Sequence, residues 1–394
     1  MSFAAVCAFT ACSNDEPATP AAQAPDATLS LLFNTGVTTK ASTQSEAKDE
    51  RIDNLTVVVF NDGAYTADAS DIVEAVKTVT ATDAATLDSV TNISVVSGPL
   101  KVLAIANLPS GVISSITKGK TLAEVEALTT NLSDETTHIT ASSAVLSVTA
   151  ERGKINCMGY TVTRLAQVSG VSVYTSGETD PRIPLYRTAA RISLTSVTLV
   201  QNADYPDATL TIDSVFIANV KGQAKIASDA AWGDVEYSGT DLNWFCGAHW
   251  TGIGQWKSNA NAQEDASLRA VKTYTLSKDA AACEPKDTFY VYPNQAGADH
   301  TLIIVRGTYT YKLNGETMTM KDRYYTLTVN DPKSERTVSG TQHDYIMRNF
   351  QYNLSYNISG PGSDKPYDPL ITSYLSTMVK VNPWNVVVVD SDVE

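Results

Sequence analysis

Two strand-forming runs near the start of the chain, separated by a long polar stretch, constrain its fold more than any other feature. Thr28-Leu-Ser-Leu-Leu-Phe33 and Asn54-Leu-Thr-Val-Val-Val-Phe60 are rich in the branched and aromatic side chains that suit a pleated surface. Between them, Asn34 to Asp53 carries Gly36, Ser42, Ser45 and several threonines, with basic residues at Lys40, Lys48 and Arg51. A connection this long and polar inside a compact domain reads as a functional or disordered loop rather than a tight turn. Its basic residues offer bonds to a trypsin-like protease. Once cut, the first strand would be held only by its neighbours, and its loss would open a groove for another copy of the chain.

The 394 residues suffice for two or three domains with substantial cores, and the 43% hydrophobic content is that of a globular protein. A net charge of −14 repels a phosphate backbone or an anionic membrane surface, which argues against a nucleic-acid partner. No apolar run approaches the roughly 20 residues of a membrane-spanning helix. The opening residues differ from the rest. Ser2 to Cys12 is small and apolar, and the sequence turns polar at Ser13-Asn-Asp-Glu16, as at the end of a secretory signal peptide. Residues 13–27, with Pro and Ala prominent, suit an extended tether.

The body is expected to be mainly β. Further strand-like runs stand at Ile93–Val96, Leu100–Ala106, Ala144–Val148, Thr209–Ile217, Thr288–Tyr292, Thr301–Tyr311 and Tyr324–Val329. Many short strands with little helix indicate antiparallel β-sandwiches. One helix is expected from the capping box Thr121-Leu-Ala-Glu124, with Leu122, Val125, Leu128 and Leu132 on one face. The turn-rich Ser176–Pro184 divides an N-terminal domain, 28–183, from a C-terminal domain, 184–394. Near the end, Arg348 to Ser359 alternates as a long strand and Gly360-Pro-Gly362 breaks it. Ser376 to Val381 follows, then Asn382-Pro383-Trp384, then the run Val386-Val387-Val388-Val389.

Several of these blocks carry a family resemblance that covers nearly the whole chain. Arg51 to Asn61, Pro99 to Asn107, Lys120 to Thr130, and Arg348 to Gly362 with Val381-Asn-Pro-Trp384 resemble, in the same order and at similar spacing, the major fimbrial subunits, or fimbrillins, of Bacteroidia-class bacteria, which build type V pili. Phe9-Thr-Ala-Cys12 resembles a bacterial lipobox. The resemblance implies two transthyretin-like sandwich domains, exported through the periplasm as a lipoprotein precursor with lipid on Cys12 and displayed at the outer membrane as a fimbrium. It also implies that a trypsin-like protease removes the first strand, residues 28–40 with Leu29, Leu31 and Phe33. The C-terminal strand of the next subunit, about 375–392, then fills the groove. The bond that matches is Lys40–Ala41, with Lys where the family carries Arg, and Arg51–Ile52 is the second candidate. The expected donor residues are Met378, Val379, Val381 and Val386 to Val389, and their other reading is a strand folded on its own domain. A homopolymer, accessory anchor or tip pilins, the protease and a host glycan or protein are the implied partners.

Chemistry elsewhere is sparse. His138, His249, His300 and His343 have no metal-ligand spacing, and no P-loop, dinucleotide fingerprint or G-x-S-x-G elbow occurs. No cofactor, metal or catalytic residue is expected. Three cysteines lie in the body: Cys246 with Cys283 could pair, or Cys157, Cys246 and Cys283 are free thiols. Trp244, Trp250 and Trp256 crowd a Gly-rich stretch. They read either as core under a loop or as a stacking surface of a monomeric carbohydrate-binding lipoprotein, the alternative function.

Overall fold

A computed structural model describes residues 24–34, 51–65, 70–82, 87–136, 138–159, 171–174, 182–227, 244–248, 263–295, 299–367 and 374–384. The described chain is mainly β, built as two pairs of facing sheets with two short α-helices. The first five strands are β1 (Ala27–Asn34), β2 (Asn54–Asn61), β3 (Val73–Thr80), β4 (Ser89–Val95) and β5 (Gly98–Ala106). In the first sheet β1 pairs with β4, with Ile155–Met158 and with Ile183–Pro184. In the second, β2 lies between β3 and β5, and β5 also pairs with Ala141–Ser142 and Leu146–Ala150. Leu29, Leu31 and Phe33 of β1 meet Leu55, Val57 and Val59 of β2 in one core.

The continuous run Val57-Val58-Val59-Phe60 has a physical reason. Its odd members face β1, while Val58 and Phe60 pack with Leu103, Ile105 and Val125 under the helices α1 (Ser110–Ile113) and α2 (Leu122–Glu126). A strand covered on both faces does not alternate. The expected capping box opens α2, with Thr121 Oγ1 accepting from the Glu124 N–H and the Glu124 carboxylate accepting from the Thr121 N–H. The helix itself is shorter than its periodicity predicted. It ends at Glu126, and the β-branched pair Thr129-Thr130 enters a strand that pairs with Gln223–Lys225, so Leu132 falls in a 3₁₀ turn.

The other pair of sheets encloses the larger core. Ala190–Leu199 runs parallel to Phe350–Ile358, which pairs antiparallel with Leu375–Pro383. Facing them, Thr209–Ala218, Leu302–Leu313 and Glu316–Thr328 form an antiparallel sheet. Its long hairpin turns at Asn314-Gly315, both at positive φ, as a two-residue turn matched to strand twist requires. Most pairings are antiparallel; parallel ones occur at β1, at Ala190–Leu199, between Ile155–Met158 and Val171–Tyr174, between Phe245–Cys246 and Gln263–Glu264, and between Glu335–Val338 and Met378–Val381. The halves interleave. Tyr186–Arg187 pairs with Ala141–Ser142, and Ile226 and Ala227 pack into the cluster beneath the helices.

Candidate functional site

The first strand is a core strand rather than a margin. Leu29, Leu31 and Phe33 are fully buried, since alternate residues of a strand share one face and here that face meets the second sheet. Burial of these three contributes about 1.5–3 kcal/mol each. On its edges β1 pairs antiparallel with β4 from Ala27↔Val95 to Leu32↔Ser89, and parallel with Ile155–Met158 from Thr28↔Ile155 to Leu31↔Met158. Removing β1 would bare those partners and an apolar trough, a template for strand addition. The neighbours run in opposite senses, so an incoming strand meets one parallel and one antiparallel partner whichever way it enters.

The chain becomes part of the second sheet's surroundings again at Arg51. The Asn107 amide Nδ2 donates to the Arg51 carbonyl at 2.8 Å, and the Asp53 N–H donates to Asn107 Oδ1 at 2.8 Å. Ile52 is buried in the β1–β2 core, and its carbonyl accepts from the Leu87 N–H. Arg51 and His138 both pair with the Asp53 carboxylate. The Arg51–Ile52 bond is thus built into the fold. Lys40, Ala41 and Cys12 lie outside the described residues.

At the other end, Leu375–Pro383 pairs over nine positions with Phe350–Ile358, and Met378–Val381 also pairs with Glu335–Val338. Val379 and Val381 are fully buried, whereas Met378 is 51% exposed. Met378 stands on the opposite face because the strand alternates, so a trough that takes Val379 and Val381 cannot also take Met378. Val386 to Val389 lie outside the described residues.

Trp384 closes this strand. It is 3% exposed, its N–H donates to the Asn349 carbonyl at 2.7 Å, and its carbonyl accepts from Arg187 Nη1 at 3.0 Å. The Arg187 guanidinium covers the indole at 4.5 Å and Tyr290 stacks at 5.8 Å. Arg187 belongs to the short strand paired with Ala141–Ser142, so Trp384 is tied to the N-terminal sheets. Behind it, Arg348 donates from Nε to the Arg187 carbonyl and from Nη2 to the Tyr186 carbonyl and Ser142 Oγ. Nearby, Glu135 accepts from the Thr140 N–H and the Tyr292 hydroxyl. Burial raises the Glu135 pKa, and these hydrogen bonds oppose the rise.

Trp384 stood out in the sequence, but Arg187 did not. The two are 197 positions apart, and no local pattern marks such a contact. Trp244 is buried with Phe216, Ile304 and Tyr324 in a small core, whereas Trp250 and Trp256 lie outside the described residues. Cys157, Cys246 and Cys283 are free thiols, and burial raises the Cys246 thiol to about 12. No group of three metal-binding side chains occurs among the described residues.

Residues 27–196 match the family model of the major fimbrial subunit protein (FimA). The major fimbrium subunit FimA type-3 of Porphyromonas gingivalis is 26% identical across 98% of this chain and 96% of that protein. A Parabacteroides distasonis protein assigned as fimbrium tip subunit Fim1C is 26% identical across 91% of this chain and 86% of its own length. A crystal structure from Parabacteroides distasonis ATCC 8503, assigned to cell adhesion, matches with a TM-score of 0.70 at 29% identity over 92% of this chain and all of that one. The fimbrilin of Porphyromonas gingivalis W83 has the same fold, with a TM-score of 0.60 at 22% identity over 93% of this chain and 99% of that one. The fold is therefore that of a fimbrilin. Residues 27–196 carry the pattern of the FimA-type major fimbrial subunit family, and the chain along nearly its whole length is similar to fimbrial subunits.

Proposed function

We propose that the chain is a structural pilin of a type V fimbria, made as a lipoprotein with lipid on Cys12 and polymerised by strand exchange after proteolysis. The observation that carries this reading is β1, a fully buried core strand followed directly by the long polar segment with its basic residues. A protease that cuts there frees the strand from its covalent tether while the rest of the sandwich keeps its own connections. Donor and acceptor surfaces differ, so the contact is heterologous, and one that does not close into a ring propagates as a filament. The cut falls at Lys40–Ala41 rather than Arg51–Ile52, because proteases take extended, accessible backbone and Arg51–Ile52 is hydrogen-bonded and half inside the core.

The polymer is the adhesive element at the cell surface, with accessory anchor or tip subunits and a host glycan or protein as partners, and the protein has no enzymatic role. Limited digestion of the purified precursor with a trypsin-like protease tests this. The expected product starts at Ala41 and forms a ladder of heat-sensitive oligomers on an unboiled denaturing gel, and Lys40→Ala abolishes that new terminus while Arg51→Ala does not. A stable monomer after clean loss of β1 would overturn the reading.

A further inference from the structure

A short crossing, residues 183–188, carries the chain from one pair of sheets to the other. At its start, Ile183–Pro184 runs parallel to the end of β1, with Phe33 opposite Ile183 and Asn34 opposite Pro184. Among the described residues β1 is the strand partner of Ile183–Pro184. Ile183 and Leu185 are buried in the same core as Leu31 and Phe33. Tyr186–Arg187 then pairs with Ala141–Ser142, and the Thr188 N–H donates to the Thr140 carbonyl at 2.8 Å. Ala189 and Ala190 already lie in the other core. The C-terminal half grips this crossing from its own side. Arg348, buried, donates from Nε to the Arg187 carbonyl at 3.1 Å and from Nη2 to the Tyr186 carbonyl at 2.9 Å. Asn349 accepts from the Arg187 N–H at 3.1 Å through Oδ1, and its N–H donates to the Ala189 carbonyl at 2.9 Å. The Arg187 guanidinium in turn donates to the Trp384 carbonyl at 3.0 Å.

We infer that β1 is a strut for the joint between the two halves: it fixes the start of the crossing, and its removal loosens the grip of Arg348, Asn349 and Trp384 on residues 186–189. Loss of β1 takes the ladder partner from Ile183–Pro184 and bares the buried sides of Ile183 and Leu185. From Pro184 to Arg187 is about 10 Å of extended chain, too short to absorb a shift without passing it on. The bonds at its far end depend on alignment and weaken steeply when it is lost. Arg348 makes that loss costly, because a buried guanidinium whose carbonyl partners move away is left with unmet donors. The coupling belongs to the intact chain, and its use in processing rests on the function proposed above. With β1 in place the precursor is the stiffer body, and cutting β1 away is registered in both halves.

Amide hydrogen exchange on the full chain, read by mass spectrometry, tests the coupling. Phe33→Ala removes the β1 side chain opposite Ile183, and Leu29→Ala opens a gap nearer the other end of the same strand, opposite Asn156. Peptides from Thr209–Ala218, in the other half, report global unfolding, and rates are compared relative to them. Phe33→Ala is expected to speed exchange about tenfold in peptides carrying Arg187, Thr188 and Trp384, against about twofold at most for Leu29→Ala. Phe33→Leu, a milder loss that keeps the fold if Phe33→Ala does not, is expected to show the same contrast at about threefold. Equal acceleration by the variants at the two ends, or none from the Phe33 variants, would overturn the inference. The digested chain gives a second reading. Clean loss of β1 is expected to speed exchange at Arg187, Thr188 and Trp384 as well as at its direct partners β4 and Ile155–Met158, and acceleration confined to those partners would also overturn it. A protease that leaves β1 in place sinks the proposed processing instead, while the contrast between Phe33 and Leu29 variants still decides the coupling.

Discussion

Single side chains decide how firmly the end of the chain is held. Trp384 combines a buried indole, a cation above its face and two backbone hydrogen bonds. Trp384→Ala is therefore expected to cost about 3–5 kcal/mol of stability, read from the denaturant midpoint, with Trp384→Phe costing less. His343 makes a second, titratable tie. Its Nε2 lies 2.8 Å from the Tyr352 hydroxyl and its Nδ1 2.8 Å from the Thr341 carbonyl, so a neutral ring donating from Nδ1 satisfies both. Burial holds its pKa below the ordinary histidine range. The folded state thus binds this proton less well than the unfolded chain, and stability falls as pH drops below about 6.5. His343→Gln should flatten that decline in midpoint-against-pH measurements. Equal slopes for wild type and variant would remove His343 as the cause.

At the scale of the element, strand parity would govern the proposed exchange. β1 presents Ala27, Leu29, Leu31 and Phe33 to the core. Beyond Trp384, odd positions read Asn385, Val387, Val389, Ser391 and Val393, while even positions read Val386, Val388, Asp390, Asp392 and Glu394. An apolar trough accepts the uncharged set, because burying unpaired carboxylates there is costly. Val387→Asn with Val389→Asn should abolish the ladder, and Val386→Asn with Val388→Asn should leave it largely intact. The reverse outcome would place the other face in the slot. The α2 segment shows the limit of periodicity: its start was written in Thr121 and Glu124, but strand pairing to Gln223–Lys225 claimed residues that a helix could have used.

For the whole molecule, the proposed function makes competition between subunits for an emptied slot the decisive quantity. A synthetic peptide with the β1 sequence Ala27–Asn34 should slow ladder formation by the processed chain, and a scrambled peptide of the same composition should not. Assembly should also quicken as salt is raised from low ionic strength toward 0.15 M, since subunits cut from a chain of net charge −14 repel one another until screened. A rate that is independent of salt would mean that charge does not limit the encounter.

The sequence by itself determined the β architecture, the core face of β1 and the capping box, because alternation, branched side chains and short hydrogen-bonding motifs act locally. It also displayed Trp384 and the polar segment after β1. Only the tertiary structure decided that Arg51–Ile52 is tied down, that Val379 and Val381 rather than Met378 take the core face of a paired strand, that Trp244 fills a core, and that Arg187 holds Trp384. Those facts depend on which segments lie side by side across separations of tens of residues up to 197. Pairing at that range is selected by burial of the whole core, which no local stretch encodes.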